Sequence, residues 1–73
     1  MKIHELISFV ENHTEINRLI IESCFMCGNA PHFEGSVIEL IETQFLFLNV
    51  PVENAAFDSV HKILNIFYDP ANL

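Results

Sequence analysis

Between Thr14 and Gly28 the chain reads Thr-Glu-Ile-Asn-Arg-Leu-Ile-Ile-Glu-Ser-Cys-Phe-Met-Cys-Gly, and seven of the nine residues from Leu19 to Cys27 are apolar. No single helical face holds so many, so this segment belongs at the centre of a small protein with other elements laid against it. Thr14 is a good N-cap, with Glu15 in the first turn behind it. Gly28 suits the left-handed position after a helix, and Asn29-Ala30-Pro31 cannot continue one. The pattern predicts a buried helix over about 14–27.

The flanking segments also read as helical. Ile3, Leu6, Ile7 and Val10 recur at helical spacing, which predicts an amphipathic helix over about 3–12. Leu6, Val10, His13, Ile16, Ile20 and Cys24 keep step across Asn12-His13-Thr14, so one continuous helix competes with two. Ser36 and Glu39 form a capping box opening a third helix over about 36–49. Ile38, Ile41, Phe45 and Leu48 mark its stripe, widened by Val37, Leu40 and Phe47. Its end, Phe45 to Val50, is apolar all round and has a short strand as its alternative. Pro51 and Glu53 suit the start of a fourth helix over about 52–68, with Asp58 and Lys62 as an i,i+4 pair and Asp69-Pro70 as its stop. The expected fold class is therefore all-α: one domain over 1–73, a compact bundle or orthogonal array of about four short helices.

Composition bounds function. Half of the 73 residues are apolar, seven of them phenylalanine. A domain this small hides only about 60% of the surface its unfolded chain exposes. The apolar surplus predicts contact with another chain, most simply a homo-oligomer. Ten carboxylates against three basic residues (Lys2, Arg18, Lys62) give a formal charge of −7. Too few cations are present to neutralise phosphates, which argues against nucleic acid and anionic membranes. A protein partner with a basic surface fits, and acidity that merely keeps an apolar chain soluble is the alternative. His4, Glu5 and Glu11 interrupt any secretory apolar region, and no run approaches about 20 apolar residues, so a cytoplasmic location is expected.

Local chemistry is sparse. Cys24, Cys27 and His32 offer three ligands of a tetrahedral zinc site, half of a signature. Cys within an apolar pattern is otherwise a small hydrophobe. A redox dithiol fits poorly, because the helix dipole at a C-terminus opposes thiolate. The other histidines lack motif partners, although His61, three after Asp58, suggests a surface pair. No catalytic motif or phosphate-binding loop is present, so no enzyme activity and no cofactor are expected. The acidic set Glu34, Glu39, Glu42 and Glu53 beside the surplus Phe45-Leu46-Phe47-Leu48 and Phe25-Met26 resembles the rim and anchor of an interface, with a solvated face and a tightly filled core as the alternatives. Glu39, Glu42, Phe45 and Phe47 are the candidate interaction residues. The expected function is a small acidic module that covers a basic protein surface, an inhibitor type shared by immunity proteins, antitoxins and phage-encoded blockers. Zinc binding through Cys24, Cys27 and His32, or a purely structural homo-oligomer, are the alternatives.

Overall fold

The computed structural model describes residues 1–24 and 31–72, and it corrects the all-α expectation. Two short helices, α1 (Ile3–Glu11) and α2 (Val37–Thr43), accompany a four-stranded mixed sheet. Its strands are β1 (Arg18–Ser23), β2 (Phe33–Gly35), β3 (Asn54–Asp58) and β4 (Ile63–Tyr68). Their spatial order is β2-β1-β4-β3. The central pair, β1 and β4, runs parallel in a six-residue register from Arg18↔Ile63 to Ser23↔Tyr68. β2 and β3 flank them antiparallel.

The helices expected over 14–27 and 52–68 are thus strands, turns and irregular chain over their described residues, and 25–27 lie outside those. The reason is physical. β1 and β4 are central strands with apolar residues on both sides, so neither shows the alternation that marks a half-buried strand. Four isoleucines (Ile20, Ile21, Ile63 and Ile66) stiffen these segments at χ1, which favours the pleated backbone. The 52–68 segment breaks at a turn over 59–62. There the Asp58 carboxylate accepts the backbone N–H groups of Val60 (2.9 Å) and His61 (3.1 Å). Asp58 also meets the His61 ring at 2.9 Å, the surface pair the spacing suggested. These contacts hold its carboxyl below the usual 3.8, with the His61 ring the largest cause. Lys62 closes the turn at φ 58°, and its ammonium donates to Thr14 Oγ1 (2.9 Å) rather than pairing with Asp58.

The helix over 3–12 is found as α1, and it ends at Glu11, so it is not continuous with the next element. The expected capping box opens α2: Ser36 Oγ accepts the Glu39 N–H (3.1 Å), and Glu39 Oε1 accepts the Ser36 N–H (3.2 Å). α2 stops at Thr43, and Phe45–Asn49 continues as a 3-10 helix.

α1, α2 and the 3-10 helix over Phe45–Asn49 pack on one face of the sheet. Leu19 and Ile21 from β1 meet Leu64, Ile66 and Tyr68 from β4 there. Phe33 of β2, Ile3 and Ile7 of α1, Leu40 of α2, and Phe47 and Val50 complete the core. Strand alternation turns Ile20, Ile63 and Phe67 to the opposite face, outside this core. No helix among the described residues is long and apolar enough to cross a membrane.

Candidate functional site

The seven-residue α2 has two apolar sides. Inward, Leu40 is 0% exposed, and Val37 packs on the core beside it. Outward, Ile38, Ile41 and Phe45 follow one another at i, i+3 and i+7 and are 66%, 49% and 59% exposed. Leu46, 71% exposed, extends the patch around the corner into the 3-10 helix. The stripe expected to face the core therefore splits. Leu40 and Phe47 are buried, Val37 and Leu48 are half-buried against the core, and Ile38, Ile41 and Phe45 face outward. Phe45 and Phe47, two residues apart, fall on different sides of the 3-10 helix: Phe45 is exposed and Phe47 enters the core.

The four candidate interaction residues consequently separate by role. Phe45 and Glu42 are exposed on α2 and its extension. Glu39 is exposed too, but its carboxylate is engaged as the reciprocal cap of Ser36. Phe47, 7% exposed, is a core residue whose ring lies 5.3 Å from Tyr68 and 4.7 Å from His32, centroid to centroid. Of the other acids, Glu34 on β2 forms an ion pair with Arg18 at 3.0 Å, and Glu53 is exposed ahead of β3. Glu42 makes no ion pair among the described residues and is the open carboxylate beside Ile41 and Phe45.

Of the zinc candidates, Cys24 is half-buried at the end of β1, where its backbone N–H donates to the Tyr68 carbonyl (2.9 Å). His32 stands just before β2, donates its backbone N–H to the Ile21 carbonyl (2.8 Å), and shares a 3.1 Å hydrogen bond between Nδ1 and the Tyr68 hydroxyl. Cys27, with Phe25 and Met26, lies outside the described residues. Among the described residues no three His, Cys, Asp or Glu side chains group as metal ligands. The His32–Phe47–Tyr68 aromatic cluster was not foreseen. Its members are fifteen or more positions apart in sequence, and the pairing of β1 with β2 and β4, with the 3-10 helix packed on the core, brings them together. Burial pushes the Tyr68 phenol above its usual 10.0.

Leu46 and Phe47 also wall an open groove of about 440 Å³, with His32, Asn49, Val50 and Asn72. It continues the exposed apolar surface toward the C-terminal end of β4. Chemically, the α2 face offers apolar area, one unengaged carboxylate and an adjoining hollow. The chain matches no family model, no curated protein and no solved structure.

Proposed function

We propose that this chain is a protein-binding module that seats the outer face of α2 and its 3-10 extension on a basic surface of another protein, in the manner of small acidic inhibitors. The observation that carries this reading is the contiguous set Ile38, Ile41, Phe45 and Leu46, each about half exposed or more, on a chain of formal charge −7. Large apolar patches left to water on a small protein mark contact sites. The aliphatic and aromatic side chains supply residence time once water is excluded, and the carboxylates, Glu42 foremost, raise the encounter rate with a cationic partner. Such a module blocks its target by coverage and needs no catalytic residue.

The test is a photo-crosslinker placed at Ile41, followed by binding measurements on the purified captured protein. Ile41→Asp is expected to weaken that complex at least tenfold through faster dissociation. Glu42→Lys is expected to slow association and flatten its dependence on salt. Affinity indifferent to both substitutions would overturn the assignment.

A further inference from the structure

We propose that the uncovered face of the sheet is the interface of a homodimer, two copies stacking face to face about a two-fold axis that crosses the strands at Ile20 and Asn65. The surface rests on the sheet and is independent of α2. Parallel strand pairs are ordinarily buried on both sides, because their outer residues are as apolar as their inner ones. The β1–β4 pair carries large apolar residues at three of its six outer positions, Ile20, Ile63 and Phe67. Its outer positions are Arg18, Ile20 and Glu22 on β1 and Ile63, Asn65 and Phe67 on β4, paired row by row. Among the described residues none of the six belongs to the buried core or to the half-buried residues packed against it; Arg18 is exposed and the other five are half-buried.

The arrangement of charge selects the occupant. Along β1 the outer face reads cation, isoleucine, carboxylate, so it is complementary to its own reverse. An axis through the Ile20–Asn65 row lays each strand antiparallel on its own copy. Arg18 then meets the partner's Glu22, Ile63 meets the partner's Phe67, and Ile20 meets the partner's Ile20. A uniformly cationic partner would instead be opposed by Arg18. Arg18 and Glu22 each lie about 7 Å along the strand from the axis, and the ~30° rotation between stacked sheets displaces them by only about 3 Å. Both side chains span that offset. The one like-charged meeting is Glu34 with the partner's Glu34 at the sheet margin, where Arg18 holds each at 3.0 Å. The net −7 of each copy is screened beyond about 8 Å at physiological salt.

A charge-reversal pair tests the geometry. Wild type is expected to sediment as a dimer, and Arg18→Glu and Glu22→Arg are each expected to raise its dissociation constant at least tenfold. Mixing the two variants is expected to restore a one-to-one dimer, since each reversed position then faces its opposite. Far-UV circular dichroism confirms that each variant is folded, and Ile20→Thr, a substitution strands accept, gives an independent route to the monomer. Wild type that stays monomeric at the highest concentration overturns the proposal, as does a mixture that stays monomeric or a dimer that ignores both reversals.

Discussion

Leu40 and Ile41 are adjacent on α2 and similar in size, yet they should behave oppositely on truncation. Leu40 is 0% exposed within the core formed with β1 and β4, and Ile41 is 49% exposed on the outer side. Removing a fully buried leucine side chain to the β-carbon costs about 2–5 kcal/mol, transfer and cavity together. A chain of 73 residues has only about 4–11 kcal/mol in total. Each kcal/mol moves Tm by about 4–8 °C at this size, so Leu40→Ala is expected to lower Tm by at least about 8 °C. Ile41→Ala removes little buried area and trades a β-branched residue for a better helix former, so its effect is expected within about 0.5 kcal/mol, or under about 4 °C. Thermal unfolding followed by circular dichroism, at one fixed protein concentration, decides the matter. Comparable losses for both variants would mean that the outer face of α2 is covered in the native protein, and the docking surface would fall with the reasoning.

Two further predictions concern ionisable groups. Because the folded Asp58 carboxyl is held below 3.8, the stability it contributes is complete above that value and is lost as pH falls through its lower folded value. The difference in urea midpoint between wild type and Asp58→Asn is therefore expected to close between about pH 5 and about pH 3. A difference unchanged across that range would refute the Asp58–His61 contact. Tyr68 is the chain's single tyrosine and is 3% exposed, so spectrophotometric titration should find its phenol ionising above 10.0. A midpoint at or below that value would refute its burial.

What the sequence made legible was local chemistry. The Ser36–Glu39 cap depends on four consecutive residues and survived intact in α2. The amphipathic spacing of Ile3, Leu6, Ile7 and Val10 likewise survived in α1. What could not be read locally was the centre of the sheet. Leu19-Ile20-Ile21 and Ile63–Tyr68 are apolar on both sides because a helical layer covers one face and the other carries Ile20, Ile63 and Phe67. Such runs match a buried helix as well as a central strand, and the partner that decides lies far along the chain. The candidate site divides in the same way. Phe45 and Glu42 are exposed, whereas Phe47, two positions on from Phe45, turns into the core, a side that composition does not announce.

The parallel register of β1 and β4 also orders events in time. Arg18 finds its ladder partner Ile63 only 45 residues later, and until β4 exists β1 has just the three residues of β2 beside it. Closing so long a loop must precede any reward from the contact, so folding waits on the last strand and is slow for a protein this small. On a ribosome, the nascent chain would carry Leu19 and Ile21 uncovered until β4 cleared the exit tunnel, which makes that interval its period of greatest exposure to misassembly.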